Sequence, residues 1–291
     1  MVISNKQLET WAHQGSITAS KSSHESIRAC LSKYYFPEGV TYDDYLQGSY
    51  RNSTNIFGDS DVDLVVELTS AYRYNIDKLT QEENKKFLER SNSEYSLFDF
   101  KKDILNALRE NYDNSNIEEG SKSIKLKKDS VSIDTDIVVS MKYRYFFSLD
   151  NYVEGISFYS NKDYRWIYSY PKQHYDNGLV KMSNTDGNYK PFIRICKNIR
   201  STLEEDGYIS DNLINSYQIE SLIFNVPNNL FSGTYQEIFY KIFSHLERAD
   251  ISKYQCQHEL YSLFGDSLDQ WNIDDAKKFI NKVIKLWDDW E

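Results

Sequence analysis

At 291 residues the chain is long enough to bury a full core, as one large or two closely packed domains. Hydrophobic residues at 40% and charged residues at 27% suit a globular protein, and a net charge of −10 argues against a dedicated DNA or RNA binder, which needs a basic face. Cys30, Cys196 and Cys256 are too few and too scattered for a disulfide framework or a Cys-rich zinc site, so free buried thiols are expected. The segment 1–18 is polar, without a basic stretch leading into an apolar run, so no signal peptide is expected. No apolar run approaches the roughly 20 residues of a membrane span. These features together predict a cytoplasmic protein with no membrane partner.

Taken in chain order, the pattern predicts a helix after Ser4 that uses Leu8 and Trp11. A second helix is expected near Ser22, where Ser22 and Glu25 stand at capping-box spacing, with Ile27, Cys30, Leu31 and Tyr34 as its stripe. Tyr45, Leu46 and Gln47 form a short strand leading into Gly48 and Ser49. The run 61–68 (DVDLVVEL) is apolar and rich in valine, and reads as a strand. Residues 75–111 look largely helical, with Phe87, Leu97, Phe98, Ile104 and Leu108 buried. Strands over 124–126 and 131–139 follow. After Tyr170 and Pro171 the pattern becomes helical, with helices from about Pro191, over 218–224, over 235–248 and after Asn272. The fold class is α+β, divided softly near residue 170 into residues 1–170 and an all-α part at 171–291.

In a strand alternate side chains share a face, so Asp61 and Asp63 point one way while Val62, Leu64 and Val66 point the other. Two carboxylates about 7 Å apart on one strand repel unless a cation offsets them. Magnesium suits the gap, since it takes hard oxygen ligands and favours carboxylates with phosphates; manganese is the alternative. A third carboxylate comes from the run 131–139, where Asp134 and Asp136 again share a face. Three such carboxylates fit a two-metal site in which one ion activates a hydroxyl and another steadies the leaving group. Asp-x-Asp alone is equally the polar face of an exposed strand. Gly48 and Ser49 add a small turn that offers backbone N–H groups and a hydroxyl to a phosphate. The compound pattern points to an enzyme site.

Gly48 and Ser49 with the run 61–66 (DVDLVV) resemble the signature of the polymerase-β-type nucleotidyltransferases. The strings 11–15 (WAHQG), 47–56 (QGSYRNSTNI), 170–174 (YPKQH), 189–194 (YKPFIR) and 215–221 (NSYQIES) are similar to those of the bacterial CD-NTases, relatives of cyclic GMP-AMP synthase, and most like clade E. The resemblance implies a polymerase-β-like core with a helical C-terminal lobe and the active site in the cleft between them. It implies synthesis of a cyclic dinucleotide from two nucleoside triphosphates, with pyrophosphate released at each step. It further implies antiphage (CBASS-type) signalling, in which the product activates a separate effector and no stable nucleic-acid partner is needed. Asp61, Asp63 and Asp136 match the family's metal-binding triad. Asp136 is preferred to Asp134 because Asp136-Ile137-Val138-Val139 matches its Asp-apolar-apolar string.

By the same resemblance Gly48 and Ser49 match the phosphate loop, Lys197 and Ser216 match positions that hold the triphosphate, and Tyr217 matches an aromatic that stacks on a base. From the residues alone Lys197 reads as an ordinary exposed lysine, Ser216 as a helix cap and Tyr217 as core. Clade E members that use pyrimidines carry Asn immediately before Tyr-Pro. Here that position is Ser169, whose hydroxyl lacks the paired donor and acceptor of an amide. This points to purines, with cyclic di-GMP or another dipurine product leading. The competing readings are a template-independent transferase acting on RNA ends or a protein hydroxyl, and a non-catalytic nucleotide-binding module. His174, His245 and His258 share no ligand spacing, and Asp59 beside Gly58 reads as a turn residue.

Overall fold

The computed structural model describes residues 2–58, 61–90 and 93–290, so the turn expected at Asp59 lies outside the described residues. The chain forms two compact units: a sheet unit, Ser16–Tyr50 with Ser60–Pro171, and a helical unit, Met1–Gly15 with Arg51–Asp59 and Lys172–Glu291.

In the sheet unit, β1 (Tyr42–Gln47), β2 (Asp61–Asn75) and β5 (Asp134–Ser148) lie side by side, followed by β4 (Ile124–Leu126) and β3 (Ile117–Glu119). β6 (Asn151–Ser160) pairs with the C-terminal half of β5 and carries β7 (Arg165–Ser169) on its other edge. β1 runs antiparallel to β2, while β2 and β5 are parallel. A parallel pair needs a long crossover, and α4 (Gln81–Leu88) and α5 (Leu97–Asn111) supply it. Val62, Leu64 and Val66 are fully buried, as the alternation requires. Leu64 and Val66 pack with Phe100, Ile104 and Leu108 of α5 and Ile27 and Leu31 of α2 (Thr18–Leu31).

The sheet unit departs from the sequence pattern in several places, among them β5, which starts at Asp134 rather than at residue 131 and runs on to Ser148, and β3, β6 and β7, which the pattern did not announce. β2 continues to Asn75 through an irregularity between Leu68 and Tyr72 that interrupts its alternation. The stretch 75–111 therefore begins in a strand, and its helices are two separate ones, each opened by a capping box, at Thr80 and at Ser96. Phe98 is exposed and meets Tyr159 and Trp166 edge-on, while Phe100 takes the buried position. α2 starts at Thr18 with no side-chain cap. Its Ser22 lies inside the helix and accepts from the Ser132 hydroxyl, and Ser23 accepts from the Ile133 N–H, so these serines tie α2 to the start of β5.

The helical unit holds α1 (Asn5–Ala12), α6 (Pro171–Ser183), α7 (Tyr189–Glu205), α8 (Ser216–Phe224), α9 (Tyr235–Arg248) and α10 (Ile273–Asp289). The division differs from one at residue 170, because Leu8 and Ala12 of α1 join the core formed by Phe192, Cys196, Phe239, Phe279 and Trp287. Phe239 and Trp287 stack at 3.9 Å. Arg194 pins the entry: its Nε donates to the Ala12 carbonyl at 2.6 Å and its Nη1 to the Ser53 carbonyl at 2.5 Å. Gly15 fits against this knot, where a Cβ would lie 2.5 Å from the Ile56 carbonyl oxygen. Cys30, Cys196 and Cys256 are free and buried. Among the described residues no helix is long and apolar enough to cross a membrane.

Candidate active site

The register of β2 on β5 sets Asp61 beside Asp134 and Asp63 beside Asp136. Paired residues of adjacent strands share a face, so four carboxylates form two rows on the face opposite Val62, Leu64 and Val66. Two carboxylates one strand spacing apart, about 4.8 Å, repel by roughly 3 kcal/mol at an effective dielectric near 20. Burial pushes the Asp136 carboxyl above the ordinary aspartate range. Ser123 and Lys125 oppose that rise, and the negative charges of Asp61 and Asp134 add to it. The Ser123 hydroxyl donates to Asp136 at 3.2 Å. Asp134 is held below the usual range, first by the Lys128 N–H that donates to it at 2.7 Å and then by Lys125.

Gly48 connects the turn to this face. It stands at φ +64°, the left-handed region that glycine tolerates, and a Cβ there would lie 2.2 Å from Asp63 Oδ2. Any side chain at this position would push into the carboxylate. Ser49 follows, half-buried, in the one-turn α3 (Gly48–Asn52). Ser169 closes β7 opposite Ile156. Its course depends on Gly155 of β6, where a Cβ would come within 2.5 Å of the Ser169 carbonyl oxygen and 2.7 Å of the buried Tyr170 ring.

Among the described residues no three His, Cys, Asp or Glu side chains converge tightly enough to hold a metal ion. The donor set nonetheless fits a hard cation. All four groups are carboxylates on one face, burial and then the charges of Asp61 and Asp134 raise Asp136, and an ammonium, Lys125 Nζ, already stands 3.3 Å from Asp61 and 3.4 Å from Asp134.

The other sequence-predicted residues lie in the helical unit. Lys197 on α7 is fully buried, which rules out an ordinary surface lysine, and its Nζ lies 3.7 Å from Glu220. Ser216 is not the cap of α8. Asn215 caps it, in a capping box with Gln218, and this leaves the Ser216 hydroxyl to accept from Arg200 Nη1 at 3.4 Å. Tyr217 is 40% exposed and so is not core; one face of its ring stacks on His174 at 5.4 Å. Two groups here escaped the sequence reading. Arg200 stands one turn from Lys197 along α7, a spacing visible in the sequence. Glu220, buried, accepts from Thr54 Oγ1 at 2.5 Å, Asn52 Nδ2 at 3.0 Å and His174 Nε2 at 2.7 Å.

Comparison with known proteins gives this arrangement its class. Residues 176–288 match the family model of the cGAS/DncV-like nucleotidyltransferase C-terminal helical domain. The cyclic UMP-AMP synthase of Rhodothermus marinus is 42% identical over 294 residues, covering all of this chain and 99% of the relative. The solved structure of R. marinus CdnE c-UMP-AMP synthase with Apcpp and Upnpp superposes with a TM-score of 0.91, covering 99% of this chain and 97% of that one. Cyclic nucleotide synthase CdnE01 of Staphylococcus haemolyticus is 36% identical over the whole of both chains. A cyclic dipurine nucleotide synthase of Elizabethkingia meningoseptica is 35% identical over 81% of this chain and 82% of the relative. The chain belongs to the CD-NTase family, among the CdnE cyclic nucleotide synthases. Its fold is accordingly a polymerase-β-like core with a helical C-terminal domain.

Proposed function

We propose that the protein joins two purine nucleoside triphosphates into a cyclic dinucleotide, releasing pyrophosphate at each of two steps, with Mg2+ held by Asp61, Asp63 and Asp136. The observation that carries the reading is the register of β2 on β5, which aligns these acids on one face with Gly48 turned against Asp63. Bound Mg2+, or Mn2+ in its place, supplies activation of the attacking hydroxyl and neutralisation of the triphosphate. Gly48 and Ser49 offer backbone N–H groups and a hydroxyl to the phosphates. Arg200, which donates to the Ser216 hydroxyl, and Lys197, buried beside Glu220, add positive charge for the β,γ-phosphates of a ligand in an acidic protein, and Ser216 adds a hydroxyl. Tyr217, supported by His174, stacks on a base.

Ser169 supports purines, since a hydroxyl cannot supply the donor and acceptor that read a uracil edge. The R. marinus relative makes cyclic UMP-AMP and the E. meningoseptica relative is a cyclic dipurine synthase, so base choice varies within the family. Cyclic di-GMP or another dipurine is the proposed product. It would act in the cytoplasm as a second messenger of antiphage signalling, read by a separate effector.

Incubation with ATP, GTP, UTP and CTP and MgCl2, followed by mass spectrometry, tests the whole reading. A cyclic dipurine is expected, and its yield should vanish with chelator. Linear chains of added nucleotides would favour the template-independent transferase instead, and an all-pyrimidine product would sink the purine assignment alone.

A further inference from the structure

Lys125 lies at the middle of β4 and pairs with Asp136 across to β5, on the edge of the acidic face. Its side chain does not stop at its neighbour. It runs diagonally to put Nζ 3.3 Å from Asp61 Oδ2 and 3.4 Å from Asp134 Oδ2. Asp134 is otherwise engaged by the Lys128 N–H at 2.7 Å, so it is fixed as an anchor and Lys125 is the movable member of the pair. We propose that Lys125 is the resident counter-ion of the carboxylate face, parked on Asp134, and that a metal ion must take Asp61 from it. This rests on the reading of Asp61, Asp63 and Asp136 as metal ligands. It gives Asp134 a role distinct from theirs: it stores the ammonium that guards the site until the metal arrives.

The physical basis is competition for one oxygen. A carboxylate that accepts from an ammonium offers a metal less free negative charge and one lone pair fewer, so the ammonium and the metal compete for Asp61. While the site is metal-free the ammonium offsets the repulsion among four acids; when the metal is present the same charge opposes it across the sheet. Lys125 is therefore a positioning residue whose removal should strengthen metal binding, a direction that general damage to the fold would not produce. Its side chain is only 31% exposed, so the near-isosteric Lys125→Met keeps the covered stem while removing the charge.

The test is titration of Mn2+ into the nucleotide-free protein, with free Mn2+ read from its six-line EPR signal, for the native chain, Lys125→Met, Lys125→Gln and the double variant Asp61→Asn, Asp63→Asn. Lys125→Met and Lys125→Gln are expected to bind Mn2+ about tenfold more tightly than the native chain, and the Asp variant to lose that binding. Unchanged or weaker binding in both Lys125 variants, with binding still lost in the Asp variant, overturns the role of Lys125 and leaves the metal reading standing. Binding that persists unchanged in the Asp variant removes both. If one Lys125 variant fails to give a native melting transition, the other decides.

Discussion

Asp136, half-buried in the sheet unit, and Glu220, buried in the helical unit, are carboxyls whose surroundings push them in opposite directions. Asp136 is raised, by burial and by the charges of Asp61 and Asp134, and Ser123 and Lys125 only partly relieve it. Burial would raise Glu220 too, but His174, Lys197 and Thr54 hold it down, to about 2. The first is a set of like charges only partly relieved, which suits the cation proposed above. The second is complete, with donors on every side. Buried polar groups that are fully partnered hold a fold together, whereas like charges set side by side persist where function needs them. The contrast favours the chemistry proposed for the sheet unit's acids and a stabilising role for Glu220.

The largest effects should fall on activity. Asp61→Asn, Asp63→Asn and Asp136→Asn each remove ligand charge with little change in volume. Each should lower product formation by more than the 10- to 100-fold that loss of a supporting partner costs. Their thermal midpoints should not fall, because a repulsive charge has gone. Asp134→Asn should keep substantial activity. A dead Asp134→Asn beside an active Asp136→Asn would exchange the roles of these two residues.

Glu220→Gln should show the reverse signature. It removes the carboxylate that stands 3.7 Å from the buried Lys197 ammonium, and losing one member of a buried ion pair costs about 3–5 kcal/mol. Urea unfolding reads this directly. A loss under 1 kcal/mol would mean that the network is not what holds this unit together, and the comparison would break.

Acid sharpens the same contrast. Burial, with a contribution from His174, lowers His258 to about 4 from 6.5, so below pH 6.5 the unfolded imidazole takes up a proton that the folded one refuses. Glu220 behaves likewise between 4.5 and about 2, because the unfolded carboxylate is protonated first. Both contributions are fully present above pH 6.5, and both fall as pH falls. The Glu220 contribution corresponds to roughly 3 kcal/mol at 1.36 kcal/mol per pH unit. Urea midpoints at pH 7, 5 and 3.5 should decline in order, and Glu220→Gln should flatten the last interval. Equal stability at pH 7 and 5 would remove His258 from the account.

Much of the acidic face was legible because period two is a strong local signal: the Asp61–Val66 run dictates which side its acids take, and so does the run with Asp134 and Asp136, whereas the parallel register that joins the two strands is seen only in the structure. The ends of α9 and the start of α10 were also legible, since Thr234 and Asn272 are capping residues ahead of strong apolar periodicity. β6 and β7 were not, because their Tyr-, Ser- and Gly-containing segments do not alternate cleanly. α6 was hidden by Gly178 and a polar composition. The start of α2 was misplaced because Ser22 and Glu25 have cap spacing without cap geometry. The long-range pairings were invisible for a different reason. Lys125 meets Asp61 across 64 positions, and Glu220 meets Thr54 across 166, distances over which no local pattern carries information.

The smallest effect tests whether the sheet unit controls base choice without controlling stability. Ser169 sits at the end of β7, half-buried, where its backbone is set by the close approach of Gly155. Ser169→Asn supplies both a donor and an acceptor at that position and should shift incorporation towards UTP by about 1–3 kcal/mol, the worth of a good bidentate base contact. Its unfolding free energy should stay within about 0.5 kcal/mol of the native value, as for a substitution outside a tight core. Gly155→Ala should disturb the same selection by a different route, since its methyl group must displace the Ser169 carbonyl or the Tyr170 ring. The stacking proposed for Tyr217 would not compensate, because every base offers a π-face and stacking is tolerant of sequence. Radiolabelled triphosphates, offered singly and in pairs and resolved by thin-layer chromatography, read the outcome. A dipurine product left unchanged by Ser169→Asn would place base selection elsewhere and deny the end of β7 its part in recognition.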